Sequence, residues 1–208
     1  MEKATRQYTK EHNRNLVLRT IFSHENISRA EIARISRLTR TTVSEIVSSL
    51  IQEGLVSEVG IGQSRGGKNP IMLSLEEDSR WIIALDLGQN QFRGAVVNLR
   101  GKIREIVSTP IDDRDGAEAL KQVFQMLDSL ISFSSQKISG IGVGAPGLIN
   151  SNEGMVVRAV NLNWNNVPLE KLLQDRYQLP VYILNDCQAA AIGEKTYSSI
   201  FRQNENLV

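Results

Sequence analysis

Between Ile27 and Val56 the chain reads ISRAEIARISRLTRTTVSEIVSSLIQEGLV, and this stretch admits few folds. Val43, Ile46, Val47, Leu50 and Ile51 recur at the i, i+3, i+4, i+7, i+8 spacing of a helix with one buried face. The other face carries Arg40, Thr41, Ser44, Glu45 and Ser48. Hydroxyl side chains are mediocre helix formers, so a row of them on an outer face marks a surface made for close hydrogen bonding. Ahead of it, Ser28 and Glu31 form a Ser-x-x-Glu capping box, in which the hydroxyl takes an orphan amide while the carboxylate reaches back. The helix that follows runs to about Ser36 with Ile32, Ala33 and Ile35 inward, and Thr39 is the N-cap of the next. Two helices joined by so short a turn are a helix-turn-helix, whose second member lies in the major groove of DNA.

The flanks complete a small domain. Leu16, Val17, Leu18, Ile21 and Phe22 predict a first helix over Asn13 to Phe22, and Gly54 suits the end of the third. Leu55 to Ile61 and Ile71 to Leu75 read as two short strands around GQSRGGKNP. There Gly66 and Gly67 permit a tight turn flanked by Arg65 and Lys68. Such a wing sets cations against phosphates or into the minor groove, although the same residues also suit a plain solvated hairpin tip. The expected contacts to double-stranded operator DNA are Ser28, Arg29, Thr39, Arg40, Thr41, Thr42, Ser44, Arg65 and Lys68. Charge is divided accordingly: residues 1–75 hold 11 Lys and Arg against 7 Glu, a net +4, and residues 76–208 hold 13 against 16, a net −3.

Other classes fall away on composition. With 41% hydrophobic and 23% charged residues in 208, the chain is an ordinary globular one of one or two domains. No apolar run reaches the ~18 residues of a membrane span, and MEKATRQYTKEHNRN is too polar for a signal peptide, so a cytoplasmic protein with no membrane partner is expected. The single cysteine, Cys187, makes no internal disulfide, and with only His12 and His24 beside it no metal site is expected.

The acidic stretch 76–80, EEDSR, separates a domain over 1–75 from one over 81–208. Beyond it, WIIALDLG, FRGAVVN and IREIVS predict a three-strand meander, Gly116 to about Phe133 an amphipathic helix, and ISGIGVGAPG a buried strand. A hairpin around Asn152-Glu153-Gly154, a helix from about Pro168 to Arg176, a strand at VYILND and a helix through Ala189 to Ile192 follow. The class is α/β.

ISRAEIARISRLTRTTVSEIV, GQSRGGKNP, ALDLG, GIGVGAPGLIN, LNWNNVPL and ILNDCQAAAIGE, in this order, resemble the ROK family (repressors, open reading frames and sugar kinases), in particular the repressor branch that includes xylose repressors. The resemblance implies a winged helix-turn-helix followed by the first lobe of an actin-like, sugar-kinase domain. In the kinases a strand ending Asp-x-Gly-Gly-Thr turns its amides toward ATP phosphates. Here Asp86 and Gly88 remain, but Gln89 and Asn90 stand where the second glycine and the threonine would be, which opposes ATP binding and leaves a plain strand end and turn as the other reading. On the sugar side the resemblance points to Gly144 in the Gly144 to Gly147 loop, Asn163 in the Asn161 to Trp164 segment, and Asn185 with Asp186. The kinase counterpart of Asp186 is a general base. The same Asn-Asp pair also suits a simple helix cap. The family's repressors are longer, with a second lobe carrying another phosphate loop, further sugar contacts and a cysteine-rich zinc site. A truncated product or fragment is therefore expected, with no catalytic residue and no cofactor of its own, and homo-oligomeric only if intact.

Three functions follow: a sugar-released repressor of carbohydrate-utilisation genes, a sugar kinase with an N-terminal extension, and a DNA-binding remnant without inducer response. The first is preferred, as a non-enzyme with DNA and a small sugar for partners.

Overall fold

The computed structural model describes residues 2–63, 69–112, 115–133 and 137–197. The chain divides into two compact units, Met1–Ser79 and Arg80–Val208.

The first unit comprises α1 (Glu2–Phe22), β1 (Ile27–Ser28), α2 (Arg29–Ser36), α3 (Arg40–Gln52), β2 (Val56–Ile61) and β3 (Ile71–Leu75). Val17, Ile21, Ile27, Ile32, Val43, Val47, Leu50, Val56 and Leu73 are buried together as its core. Here α1 begins some three turns earlier than the apolar pattern predicts, because Glu2 to Asn13 contains neither Gly nor Pro and is carried by propensity. Residues 5–12 of this extension are all exposed.

Two details of the helix pair correct the sequence reading. Ile35 is 45% exposed rather than inward. At about 100° per residue it lies more than a quarter-turn from the direction shared by Ile32 and Ala33. The two-residue strand β1 was also not foreseen; it pairs with β3 through Ile27↔Leu73 and Ser28↔Met72, giving the sheet order β1-β3-β2. The third helix ends in a Schellman arrangement, with Leu55 N–H donating to Leu50 O (2.9 Å) and Gly54 N–H to Ile51 O (3.0 Å). The wing tip, with Arg65 and Lys68, lies outside the described residues.

The second unit is built on a five-stranded sheet. Its elements are β4 (Trp81–Leu87), β5 (Gln91–Asn98), β6 (Ile103–Pro110), α4 (Gly116–Phe133), β7 (Ile138–Ala145), β8 (Leu148–Asn150), β9 (Met155–Ala159), β10 (Trp164–Val167), α5 (Leu169–Tyr177), β11 (Val181–Asn185) and α6 (Asp186–Tyr197). The order β11-β7-β4-β5-β6 joins an antiparallel meander, β4 to β6, to two strands that run parallel to β4. Parallel neighbours need long crossovers, supplied by α4 and by the segment ending in α5. The strands β8, β9 and β10 form a small antiparallel sheet inside the second crossover.

Side chains lock these layers together. Trp164 is buried, and its Nε1–H donates to Gly116 O (2.8 Å) at the start of α4. The Tyr177 hydroxyl at the end of α5 bonds to Asp128 Oδ1 (2.8 Å) and to Phe124 O (3.1 Å) on α4. Burial first, and then the Asp128 carboxylate, push the Tyr177 phenol well above its ordinary pKa.

The parallel register decides where a ligand site can lie. Asp86 of β4 pairs with Gly144 of β7, Gly144 with Leu184 of β11, and Ala145 with Asn185. Three strands therefore end side by side, and the crevice beyond the carboxyl ends of such strands is where α/β sheets hold ligands.

Candidate functional site

On the first unit, the capping chemistry sorts the expected DNA contacts into two groups. Ser28 is only 4% exposed; its Oγ accepts from Glu31 N–H (3.3 Å) and donates to Glu31 Oε2 (2.8 Å), while its own N–H donates to the same oxygen (3.0 Å). Ser28 is thus a buried cap, which corrects its placement among the DNA contacts. Thr39 caps α3, its Oγ1 accepting from Thr42 N–H (3.2 Å) and bonding the Thr42 hydroxyl (2.9 Å). Arg29 donates to Glu58 Oε1 (2.9 Å) across to β2. Arg40, Thr41 and Ser44 remain on the exposed face, with Glu45 and Ser48 beyond them. All five residues that the spacing sets on the outer face of α3 are therefore exposed.

On the second unit, the strand ends bring together Asp86, Gly144, Asn185 and Asp186. A methyl group added at Gly144 would sit 3.5 Å from Asp186 Cα and 3.6 Å from Ala189 Cβ, so this residue forms the floor beneath the start of α6. Asn185 serves two structures at once. Its Nδ2 donates to Gly147 O (3.0 Å), and its Oδ1 accepts from Cys187 N–H (3.1 Å) and Gln188 N–H (3.4 Å). The amide therefore caps α6 while fixing the β7–β8 loop. Asp186 uses one oxygen, Oδ1, on Cys187 N–H (2.8 Å), and Oδ2 has no protein partner among the described residues.

Gly147 explains why that loop has this sequence. Its φ is +88°, and a Cβ there would lie 2.1 Å from Arg158 O on β9. Only a glycine lets the two backbones approach so closely.

Asn163 lies in the segment between β9 and β10. It adopts a left-handed conformation (φ 51°) just before Trp164 and is exposed, and its amide makes no hydrogen bond to Gly144, Asn185 or Asp186. The buried Trp164 is the residue of that segment that carries structural weight, and an isolated aromatic among asparagines gave little sequence signal for it.

The turn after β4 is tight: a Cβ on Gly88 would meet Gln91 O at 2.8 Å. Gln89 and Asn90 are exposed beyond it. One residue there escaped sequence reasoning. Arg93 on β5 donates through Nε (3.0 Å) and Nη2 (2.6 Å) to Asp86 Oδ2. Arg93 faces Asp86 across the β4–β5 ladder, where register rather than sequence distance makes them neighbours. The carboxylate that would border a nucleotide thus already has a cation on it, and one oxygen is committed to two charge-assisted bonds. No group of three His, Cys, Asp or Glu residues among the described residues could hold a metal ion. No helix of the described residues is long and apolar enough to cross a membrane.

Residues 82–206 match the family model "ROK family", and residues 11–58 match "MarR family". The chain is 37% identical over 193 residues to a xylose repressor of Caldicellulosiruptor bescii, covering 90% of this chain and 48% of that one. It is 31% identical over 207 residues to the xylose repressor of Bacillus spizizenii, covering 98% and 54%. The chain thus spans about half the length of the curated relatives it matches. Among solved structures it is similar to a ROK family transcriptional regulator described as a homologue of the Escherichia coli MLC protein, with a TM-score of 0.78, 23% identity, and coverage of 91% of this chain and 49% of that one.

Proposed function

The chain belongs to the ROK family, and from that membership we propose that it acts as a sugar-responsive, DNA-binding transcriptional repressor. The observation that carries this reading is the capped α2–α3 pair, with Arg40, Thr41 and Ser44 outward, in the same chain as a ROK unit whose Asp86 is bonded to Arg93. The first part fits the major groove of an operator. The second retains a polar strand-end crevice while meeting the nucleotide side with an ion pair.

Xylose is the sugar proposed first, because the similar proteins quoted above are named for it. Asp186 Oδ2 can accept from a sugar hydroxyl, with Asn185 holding the loop and helix that frame it. A sugar that favours one arrangement of the protein over another lowers DNA affinity by the difference of its own affinities for the two. An assembly of two copies, each contributing one helix pair, is proposed as the form that binds an operator. The chain is further proposed to lack kinase activity: Asp186 is the counterpart of the kinases' general base, but Gln89 and Asn90 stand in the turn after β4 where the kinases carry a glycine and a threonine.

The test is fluorescence anisotropy of a labelled promoter duplex from a xylose-utilisation operon, titrated with the chain and then with D-xylose, D-glucose or N-acetylglucosamine. Binding released by one of these sugars supports the reading. A chain that binds no duplex, or that turns over ATP in the presence of sugar and loses this in Asp186→Asn, overturns it.

A further inference from the structure

Three arginines of the helix pair have partners nowhere among the acidic side chains of the described residues: Arg34 in the last turn of α2, Arg37 at its C-cap, and Arg40 in the first turn of α3. Their neighbours are differently placed. Arg14 is paired with Glu53, and Arg29 with Glu58.

A groove of about 600 Å³ opens beside the turn, lined by Ala30, Ala33, Arg34, Thr39 and Arg40 among others. Two alanines and two arginines are among its lining residues. One acidic residue, Glu31, also lines it, but Glu31 Oε2 accepts from both Ser28 N–H and Ser28 Oγ in the capping box. With the Arg34 and Arg40 guanidinium groups against one carboxylate, the groove carries a net positive charge.

Arg37 carries a second signal. It holds a left-handed backbone, φ 58° and ψ 22°, at a helix end where glycine is the inexpensive choice. Its side chain is exposed and contributes nothing to the core.

Taking the DNA-binding reading above as its premise, we propose that this groove, which Arg34 lines, and the adjoining turn, which carries Arg37, seat backbone phosphates of the DNA, with Arg34 and Arg37 as phosphate-positioning residues that read no base. The helix that precedes a recognition helix crosses the sugar-phosphate backbone, so the turn between the two lies over a phosphate run. Phosphate contacts fix register and orientation and carry no sequence information. They do release counterions, which gives the inference a measurable signature.

The experiment compares the unaltered 208-residue chain with Arg34→Gln, Arg37→Gly and Arg34→Lys on a promoter duplex and on a mixed-sequence duplex of equal length, over a range of salt concentrations. Arg34→Gln and Arg37→Gly each lower the slope of log affinity against log salt by about 0.9, equally on both duplexes. Arg34→Lys keeps the charge and the slope. Arg37→Gly retains the fold, because glycine adopts φ 58° without strain, and far-UV circular dichroism confirms this alongside the binding data. Unchanged slopes in both neutral variants, with binding by the parent intact, overturn the phosphate seat and leave the repressor reading standing. A loss confined to the promoter duplex also overturns it, by making the arginines base readers. Failure of the unaltered chain to bind either duplex overturns both readings together.

Discussion

Replacing Ser28 by alanine separates the two roles this residue could have, as a DNA contact or as the cap of α2. In the structure the Ser28 hydroxyl makes two short-range bonds, accepting from Glu31 N–H at 3.3 Å and donating to Glu31 Oε2 at 2.8 Å. Alanine removes both and leaves the Glu31 amide as an orphan donor at the start of the helix. With Ser28 only 4% exposed, water is poorly placed to replace the lost partner. The other half of the box survives, since Ser28 N–H still donates to Glu31 Oε2 and β1 still pairs with β3. The expected cost is therefore near the middle of the range for N-cap serines, about 1 kcal/mol. Such a loss raises the open fraction of the helix by about fivefold. Both tryptophans, Trp81 and Trp164, lie in the second unit, so indole fluorescence does not report on this event. Amide hydrogen exchange resolved over α2 does, and about fivefold faster exchange there is the expected outcome. Affinity for a mixed-sequence duplex, measured where the head remains folded, stays at the parent value. Exchange over α2 at the parent rate together with lost DNA affinity would refute the capping argument and return Ser28 to the DNA surface.

Gly147→Ala puts a methyl 2.1 Å from Arg158 O at a φ of +88°, and a loss of about 2 kcal/mol or more is expected, read as a lower urea midpoint of tryptophan fluorescence. Trp164→Phe keeps a ring in the core but removes the Nε1–H donation to Gly116 O, now 2.8 Å; a loss of about 1 kcal/mol is expected in the same assay, and an unchanged midpoint would show that this bond contributes nothing net. Tyr177 gives a pH prediction. Its phenol is raised by burial and by Asp128, so above about pH 10 the unfolded chain sheds a proton that the folded chain retains, and stability falls as pH rises through that region. In Tyr177→Phe this share of the alkaline loss is absent, and urea midpoints at about pH 8 and about pH 11 lie closer together than in the parent.

Much of the helix pair was legible in the sequence because its signals are local. A capping box spans four residues, and an apolar stripe repeats within two turns, so Ser28, Glu31, Val43, Val47 and Leu50 announce their places without reference to the rest of the chain. The meander, the long helix α4 and the strand at Val181 are legible for the same reason. Errors arose where local preference and burial part company. Ile35 is apolar but points away from the shared face of α2, and residues 5–12 of α1 are helical although all are exposed.

The strand-end site divides along the same line. Asn185, Asp186 and the glycines of the Gly144 to Gly147 loop stand out as a polar pair after an apolar run and as a glycine-rich turn. Nothing local, however, says that Asn185 binds the Gly147 carbonyl 38 residues away, or that Gly147 must yield to Arg158 of another strand. The Asp86–Arg93 pair is the clearest case. The two residues are seven apart, unremarkable as a spacing, and only the antiparallel register of β4 on β5 sets guanidinium against carboxylate. By itself the sequence determined which segments are helix or strand and which face of each is apolar, since periodicity and capping act over a few bonds. Tertiary structure alone decided which polar groups are already spent on one another and which remain for a ligand, because register and close approach bring together residues that the chain keeps apart.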